Sequence, residues 1–359
     1  MRIGIFPYKP SWNPYQELFS GALEAAGLIV TRIPPRKWFP LQYALSRPLD
    51  ILHLDWPHDF YNGRTPLRRV LKQAMYLHGL RTAKERRLVW TAHNLIGHDA
   101  VDADYEKRMV QRLVDVCSGI VCLSAAAETA LRDAYRVSAA TVVKVIPHGH
   151  YIDVYPNTMT RGAARERLGI GDDSRVVLSL GRIMPYKGLE ELIAAFGAVA
   201  SAGDALLICG GSSDPGFIAR LQALAASVRE TGREVRIVSE TIPERDLQIF
   251  YNACDVAAYP FRQILNSGSV IMAMSFGRCF VAPTMGSVPE VAYPRAYFGY
   301  APDDPDGLAS AMRAALQHDD LAARGAEGKE HARRLFDWTR IGTMARGLYS
   351  ELLEDRARR

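Results

Sequence analysis

Short apolar runs alternate with amphipathic helical stretches along almost the whole chain. Apolar runs of about four to eight residues predict buried strands, and apolar residues three and four positions apart predict helices with one buried face. Strands that alternate with helices are connected by right-handed crossovers into parallel sheets. A composition of 48% hydrophobic and 23% charged residues argues against a disordered, collagen-like or coiled-coil chain. The sequence therefore predicts the α/β fold class.

Two sets of such elements follow one another. The first comprises predicted strands 2–6, 28–33, 50–56, 88–93, 119–124 and 142–147 and predicted helices 15–26, 67–84, 105–116 and 125–135. The second comprises predicted strands 176–181, 205–209, 235–238, 256–259 and 279–282 and predicted helices 189–201, 215–230, 244–254 and 269–276. Ligands of doubly wound sheets bind at the carboxyl ends of the strands. We therefore expect two doubly wound, Rossmann-like domains that face each other across a cleft.

The junction between the two sets lies near residues 151–161, which include Pro156. We expect an N-terminal domain over residues 1–155 and a C-terminal domain over residues 156–340. The remaining residues, 341–359, form a predicted helix with no strand after it, which we expect to pack back on the N-terminal domain.

Several features favour the cytoplasm. The five cysteines form no CxxC pair, which is typical of a reducing compartment. The opening residues 1–7 are typical of a first core strand and not of a signal peptide. No run approaches the roughly 20 apolar residues that a membrane span needs.

Positive charge is concentrated in the first predicted domain. Residues 1–155 contain 20 Lys and Arg against 14 Asp and Glu, a net charge of +6, and the remainder contains 24 against 25, a net charge of −1. Eight of the basic residues lie between 64 and 87, a segment that includes the predicted amphipathic helix 67–84, with Glu85 as the only acid. This run is either a solvated helix face or a patch that contacts anionic phospholipid or a diphosphate-linked acceptor. No nucleic-acid-binding motif accompanies it, so we expect no nucleic-acid partner.

The residues after the first strand of the second set predict a diphosphate site. Gly181 ends the strand, Arg182 and Lys187 lie five residues apart in the next loop, and a helix begins at Gly188. Glycine permits close approach of the backbone, a helix N-terminus attracts anions, and two cations can bracket a diphosphate. An ordinary charged surface loop is the alternative. The chain has neither a Walker A motif nor GxGxxG, so P-loop NTPases and nicotinamide-dependent enzymes lose support.

A second anion site is predicted at Asn266, Ser267, Gly268 and Ser269, which precede an apolar helix. Asn or Ser at such a position is also a good N-cap, which explains the residue types without any ligand. Backbone N–H groups at the same cap can hold a phosphate. Both interpretations can hold together.

Histidines cluster at predicted strand ends of the first domain, and seven of the nine lie before residue 151. The clusters are His53 with Asp55, His93 with Asn94, His98 and Asp99, and His148 with His150 and Tyr151. A single histidine is more often structural, but the carboxyl ends of parallel strands converge on one crevice. His and Asp can accept a proton near neutral pH, so we predict a general base here. The spacings match no standard zinc motif, and we expect no metal.

The strand-Gly-Arg-x4-Lys-Gly segment and the Ser-Gly helix cap resemble the donor domain of GT-B glycosyltransferases of the family 4-like group. The resemblance covers essentially the whole chain. It implies that Arg182 and Lys187 hold the diphosphate of a nucleotide sugar, with Gly181, Tyr186 and residues 266–269 completing the donor site.

The chain departs from that group at one motif. The group carries a Glu-x7-Glu pair around this helix, and Ile264 and Met272 occupy the corresponding positions here. The ribose contact must therefore come from other residues, and a retaining mechanism that depends on the first glutamate loses support.

A narrower set of motifs is similar to the xanthan-type β-1,4-mannosyltransferases of exopolysaccharide synthesis. These motifs lie at residues 13–15, 52–57, 93–95, 148–151, 182–188 and 266–268. The resemblance implies inverting transfer of mannose from GDP-mannose to a polyprenyl-diphosphate-linked glycan, without metal or other cofactor, at the inner face of the cell membrane. That group has a histidine in place of Asp55, so His93 is the leading candidate for the base, with Asp55, His98 and Asp99 as alternatives.

Six residues are predicted to line the acceptor side: Asn13, Tyr15, Asn94, His148, His150 and Tyr151. Two other functions stay open. One is a retaining family 4-type transferase that uses a UDP-sugar on a small acceptor, and the other is a non-catalytic GT-B-like sugar-binding protein.

Overall fold

The computed structural model describes residues 1–9, 14–63, 65–83, 87–97 and 102–357. The chain divides into two compact units, Met1–Gly149 with Phe336–Arg359, and His150–Leu335, and each is described by itself. The domain limits expected at residues 155 and 340 lie six and five residues beyond the unit limits at 149 and 335. His150 and Tyr151 therefore lie in the second unit.

The first unit contains a six-stranded parallel sheet of order β2-β1-β3-β4-β5-β6. Its strands are β1 (Arg2–Phe6), β2 (Ile29–Arg32), β3 (Ile51–Leu54), β4 (Leu88–Thr91), β5 (Gly119–Cys122) and β6 (Val142–Val145). Its helices in this part of the chain are α1 (Tyr15–Ala25), α2 (Pro40–Leu45), α3 (Pro66–Ala83), α4 (Ala103–Val114) and α5 (Ala125–Ala134). The central strands β3, β4 and β5 are buried along their whole length, which is typical of a parallel sheet covered on both faces.

The second unit contains another six-stranded parallel sheet, of order β12-β11-β10-β7-β8-β9. Its strands are β7 (Val176–Leu180), β8 (Ala205–Cys209), β9 (Glu234–Val238), β10 (Val256–Ala258), β11 (Cys279–Pro283) and β12 (Tyr297–Tyr300). Its helices are α6 (Arg161–Leu168), α7 (Leu189–Val199), α8 (Pro215–Arg229), α9 (Leu247–Ala253), α10 (Gly268–Ser275), α11 (Val288–Val291), α12 (Gly307–Leu316) and α13 (Leu321–Leu335).

The last helix, α14 (Trp338–Ala357), belongs to the first unit and packs on α1. Its apolar face, with Ile341, Leu348 and Tyr349, joins the same buried core as Ile3 and Phe19. Gly342 is needed at the crossing, because a Cβ there would collide with the carbonyl oxygen of Ala22.

Each sheet reverses its strand order once, and these reversals locate the ligand crevices. In the first unit the chain proceeds from β1 to β2 on one side and from β3 to β6 on the other, so the reversal lies between the paired strands β1 and β3. In the second unit the reversal lies between the paired strands β7 and β10. Loops that leave the carboxyl ends of these strands diverge and leave room for a ligand.

The α/β class and the two doubly wound parallel sheets are confirmed. The sequence did not predict β12, α2, α6, α11, α12 or α13. β12 is an edge strand that pairs with β11 and is half-buried. Its short Tyr-Phe-Gly-Tyr segment therefore needs no continuous apolar run, and that run is the signal by which the other strands are predicted. The predicted helix 244–254 is a 3-10 turn at Glu244–Asp246 followed by α9.

The described residues contain neither a membrane-spanning helix nor a cluster of metal-ligating side chains. No described helix combines the length and apolarity that crossing a membrane requires. Among the same residues, no group of three or more His, Cys, Asp or Glu side chains could hold a metal ion.

Candidate functional site

Two loops meet at the strand reversal of the second unit. One follows β7 and contains Gly181 and Lys187, and the other follows β10 and leads to α10. Gly188, with φ +66°, lies directly against the second loop, where a Cβ would collide with the carbonyl oxygen of Pro260. Any other residue would both strain the backbone and separate the loops.

Arg262 connects these two loops by hydrogen bonds. Its backbone N–H donates to the carbonyl oxygen of Tyr186 at 2.9 Å, and its Nη1 donates to that of Pro185 at 3.1 Å. Its Nη2 donates to Glu190 Oε2 at 2.9 Å and its Nε to Glu191 Oε1 at 2.7 Å, in the first turn of α7. Arg262 is not among the residues predicted from the sequence, because nothing in its local sequence distinguishes it from a solvated surface arginine.

Lys187 and Ser269 flank one space above the backbone of Gly181. A Cβ built on Gly181 would lie 3.7 Å from both Lys187 Nζ and Ser269 Oγ. Gly181 has φ +139°, so the space depends on the glycine. A cation and a hydroxyl around an open backbone position form a site for an anion.

The ammonium group of Lys187 is held against aromatic rings. Its Nζ lies 4.7 Å from the ring centroid of Phe261 and 5.5 Å from that of Tyr186. Burial and the neighbouring charge of Arg182 lower the pKa of Lys187 from 10.5 to about 8. A bound anion would favour the charged form and oppose both effects. Arg182 itself is exposed.

The N-terminus of α10 supplies the second part of this site. Ser267 is its N-cap, and the side-chain oxygen accepts a hydrogen bond from the backbone N–H of Val270 at 3.3 Å. The capping interpretation thus accounts for Ser267, and Asn266 precedes the cap. Helix N-termini leave backbone N–H groups without intrahelical partners, so the first turn, with Gly268 and Ser269, can bind an anion.

Tyr151 lies beside this helix and within the same unit. A Cβ on Gly268 would lie 3.3 Å from the Tyr151 hydroxyl. The backbone N–H of Tyr151 donates to Ser275 Oγ at 2.9 Å, and burial raises the pKa of its phenol. The structure therefore places Tyr151 with the predicted donor residues. His150, its neighbour, is buried and accepts a hydrogen bond from the backbone N–H of Ile152 at 3.3 Å.

Asp55 and His93 form a hydrogen-bonded pair in the first unit. Asp55 follows β3 and is fully buried, and its Oδ1 lies 2.8 Å from His93 Nε2 at the end of β4. Gln16 of α1 donates to Asp55 Oδ2 at 3.1 Å and to the carbonyl oxygen of Pro7 at 2.8 Å. Burial alone would raise the pKa of Asp55, but the hydrogen bond and charge of His93, with His53 and Gln16, outweigh it and lower that pKa.

Aromatic rings fix the orientation of His93. Its imidazole stacks on Trp56 with centroids 4.2 Å apart and an interplanar angle of 16°, and Tyr15 meets it edge-on at 4.7 Å. Trp56 has φ +42°, a left-handed conformation that is strained for a bulky residue. Since the carboxylate of Asp55 only accepts, Nε2 carries the hydrogen and Nδ1 is the basic nitrogen of the ring. This arrangement can receive a proton from a hydroxyl group.

Two other predicted histidines, the fully buried His53 and the half-buried His148, are neutral near pH 7. His53 bridges Thr91 Oγ1, 2.6 Å from its Nε2, and the Tyr349 hydroxyl, 2.6 Å from its Nδ1. His148 donates from Nδ1 to the carbonyl oxygen of Gly149 at 2.7 Å and packs on Tyr15. Burial lowers the pKa of both histidines from 6.5 to about 4.

The remaining predicted residues are placed as follows. Tyr15 and His148 lie in the first unit with Asp55 and His93, and Asn94 follows His93 in a half-buried position. Asn13, His98 and Asp99 fall outside the described residues. Gln16 and Trp56 contact the pair directly and are not among the predicted site residues.

The chain is similar in sequence to known glycosyltransferases. Residues 174–318 match the family described as glycosyl transferases group 1. The GDP-mannose:glycolipid 4-beta-D-mannosyltransferase of Xanthomonas campestris pv. campestris is 27% identical over 352 residues, which cover 95% of this chain and 89% of that enzyme.

Two solved structures share the fold. Sucrose-phosphate synthase from Thermosynechococcus elongatus has a TM-score of 0.76 at 21% identity, covering 99% of this chain and 100% of that one. Alr3699/HepE of Anabaena, solved in complex with UDP and glucose, has a TM-score of 0.75 at 18% identity, covering 98% of this chain and 100% of that one. At these identities the likeness concerns the fold alone.

Proposed function

As the chain is a glycosyltransferase of group 1 with the GT-B fold, we propose that it transfers mannose, with inversion, from GDP-mannose to a lipid-linked glycan in exopolysaccharide synthesis. The observation that carries the proposal is the anion site of the second unit. Lys187 Nζ, Ser269 Oγ and the first turn of α10 surround one space at the reversal between β7 and β10. The mannosyltransferase with 27% identity over 95% of this chain supports the choice of donor and acceptor class.

The second unit holds the leaving group. The bond between the anomeric carbon and the diphosphate breaks in the reaction, and negative charge develops on the departing phosphate oxygen. Lys187, Arg182 and the backbone N–H groups of Gly268 and Ser269 stabilise that charge. These groups belong to the protein itself, so the proposed reaction uses no metal.

The first unit activates the acceptor. Nδ1 of His93 takes the proton of the acceptor hydroxyl group. The hydroxyl oxygen attacks the anomeric carbon from the face opposite the diphosphate, which inverts the configuration at that carbon. Asp55 holds the ring and stabilises the imidazolium that forms. A positioned general base of this kind contributes about 10²- to 10⁴-fold to the rate.

The proposed place of action is the cytoplasmic face of the membrane. Helix α3 carries the cations Arg68, Arg69, Lys72 and Arg81 and no acidic residue over its eighteen positions. Each basic residue near an anionic bilayer contributes about 1 kcal/mol to attachment. A lipid-linked acceptor lies at that surface.

A retaining transfer from a UDP-sugar is the second candidate, because structures similar in fold bind UDP. The test is to incubate the full chain with GDP-mannose, UDP-glucose and a lipid-linked glycan, and to determine the anomeric configuration of the product by NMR. We expect a β-linked mannose and release of GDP. An α-linked product would overturn the inverting mechanism, and transfer from UDP-glucose alone would overturn the proposed donor.

A further inference from the structure

Helix α3 divides into a packed half and an uncovered half. Tyr76, Gly79, Leu80 and Ala83 are buried in its second half, whereas no residue of 66–75 is buried. Three large apolar side chains of this first half are exposed: Leu67 and Val70, with 70% and 62% of their surface exposed, and Leu71, with 45% exposed. A surface helix normally turns its apolar stripe to the core. The apolar stripe of this first half is therefore exposed.

A groove of about 890 Å³ lies along one side of that uncovered half. Leu67, Leu71 and Met75 of α3 form one apolar wall, and Trp38 and Tyr105 also line the groove. Val70 lies on the same helix and does not line it. The volume falls within the range of about 300–1,000 Å³ that is usual for small-molecule sites.

Cations surround the groove, and its acidic residues are already bound. Glu106 accepts hydrogen bonds from Asn62 Nδ2 at 2.8 Å and from the backbone N–H of Gly97 at 2.7 Å. Asp102 accepts from Arg69 and from the backbone N–H of Tyr105.

The other acid, Asp59, is paired with Lys9. Lys37 and Arg68 line the same groove and form no ion pair with any residue of the described ranges. Apolar walls with two such cations suit a hydrocarbon chain that ends in an anionic group.

We propose that this groove binds the prenyl chain of the acceptor, with its phosphate at Lys37 and Arg68. This inference rests on the proposed function, whose acceptor is lipid-linked, and it goes further in assigning the lipid its own site. Attachment to the membrane surface requires only that α3 contact the bilayer. Binding in the groove requires that the prenyl chain of one acceptor molecule leave the bilayer and enter the protein. A single chain held beside the first unit would present its glycan to His93 repeatedly without release of the enzyme.

Binding of farnesyl phosphate to the full chain, measured by calorimetry without membranes, tests the site. We expect Leu71→Glu to weaken binding by at least about tenfold, since a buried leucine contact is worth that much, and Leu67→Glu to act in the same direction. Val70→Glu is the matched control, because it places the same charge on the same helix outside the groove. We expect it to change the affinity by less than about twofold.

Two ligand controls separate the parts of the site. Farnesol should bind more weakly than farnesyl phosphate, and Arg68→Glu should remove that difference. Inorganic phosphate should bind far more weakly than either. Equal losses in Leu71→Glu and Val70→Glu, or equal affinity for inorganic phosphate and farnesyl phosphate, would overturn the proposal. The four substituted side chains, Leu67, Arg68, Val70 and Leu71, are all exposed, so the variants should keep the circular dichroism spectrum of the parent.

Transfer assays distinguish this inference from the proposed function. Transfer of mannose to a short-chain, water-soluble acceptor reports the proposed reaction alone, and the ratio of KM for long-chain and short-chain acceptors reports the groove. Absence of transfer in the parent, with farnesyl phosphate binding still dependent on Leu71, would reject the proposed reaction and retain the groove. Normal transfer with no farnesyl phosphate binding would reject the groove only.

Discussion

The carboxylate of Asp55 accepts a hydrogen bond of 2.8 Å from Nε2 of His93, so two residues proposed as alternative bases form one hydrogen-bonded pair. The surroundings of Asp55 and His93 indicate which of the two accepts the proton and which positions the other. Asp55 is fully buried, accepts one further hydrogen bond from Gln16 Nε2 at 3.1 Å, and has a lowered pKa, so it is a poor proton acceptor. His93 keeps 9% of its surface exposed and presents Nδ1 as its basic nitrogen. We therefore propose His93 as the base and a positioning role for Asp55.

The first prediction concerns this pair. Asp55→Asn replaces a group that only accepts hydrogen bonds by an amide that can also donate. The neutral His93 ring can then carry its hydrogen on Nδ1 instead of Nε2, so Nδ1 no longer accepts a proton. We expect kcat to fall by about 10²- to 10⁴-fold, as for loss of a general base, with the KM for the donor changed by less than about twofold. Thr91→Val is the control in the same sheet, since the Thr91 hydroxyl contacts His53, and the backbone carbonyl that accepts from His93 N–H is kept. An unchanged kcat in Asp55→Asn would show that the pair does not act in transfer.

The second prediction concerns stability in acid. Burial lowers the pKa of His53 and His148 from 6.5 to about 4, so between these values the unfolded chain binds more protons than the folded one. The free energy of unfolding is therefore complete above about pH 6.5 and decreases as the pH falls toward 4, by up to about 3 kcal/mol for each histidine. Asp55, with a lowered pKa, contributes its own loss only below its unfolded value of 3.8.

Urea unfolding of the full chain at several pH values measures this slope. The variant with both His53→Gln and His148→Gln should be less stable than the parent near pH 7 and should show a smaller decrease down to pH 4. An identical slope in parent and variant would assign the acid sensitivity to other groups.

The third prediction concerns Lys187. Its pKa of about 8 means that its charge is lost as the pH rises through that value, and a diphosphate prefers the charged form. We expect the Kd for GDP to increase by up to about tenfold for each pH unit above 8. Lys187→Arg keeps its charge at these pH values and should remove the dependence of the GDP Kd on the charge of residue 187. Any effect of the titration of GDP itself would be the same in the variant and the parent. Lys187→Ala should weaken GDP binding by about ten- to a hundredfold.

Calorimetric titration of GDP between about pH 7 and 10 separates these outcomes. A steeper loss in the parent than in Lys187→Arg supports a direct contact between Lys187 and the diphosphate. Parallel curves would place the diphosphate away from Lys187.

Local signals made the donor loops predictable. Gly188 has to be glycine because of its positive φ and its contact with Pro260, and Ser267 has the side chain that an N-cap needs. Such residues are recognisable in sequence because their constraints come from the backbone within a few residues. The strands of the two parallel sheets, apart from β12, are likewise predictable, because they are apolar runs.

Long-range contacts limited the prediction of the acid–base pair. Asp55 and His93 follow the neighbouring strands β3 and β4, so their proximity follows from the parallel sheet. Their hydrogen bond, however, depends on ring packing against Trp56. Gln16 lies 39 residues from Asp55, and Tyr349 lies 296 residues from His53, and no local pattern links residues so far apart.

The fourth prediction concerns Arg262, which joins the loop after β10 to the loop that contains Lys187. Arg262→Ala removes the bonds to Pro185, Glu190 and Glu191, so the two loops should separate and GDP binding should weaken by about tenfold. Arg220→Ala is the matched control, because Arg220 approaches the same Glu190 at 3.6 Å and contacts neither loop. Calorimetry with GDP should show a loss for Arg262→Ala only, and equal effects of both changes would exclude the positioning role.

The last prediction concerns attachment to membranes. The combined change of Arg68, Arg69 and Lys72 to Glu reverses the charge of the uncovered half of α3, and each cation contributes about 1 kcal/mol near an anionic surface. We expect binding to phosphatidylglycerol vesicles to fall by at least about tenfold, and binding to phosphatidylcholine vesicles to stay weak in parent and variant. The control changes Lys107, Arg108 and Arg112 of α4 to Glu, which gives the same net charge from another exposed face of the same unit. Equal losses in the two variants, measured by sedimentation with vesicles at low and physiological salt, would show that attachment follows net charge and not the face of α3.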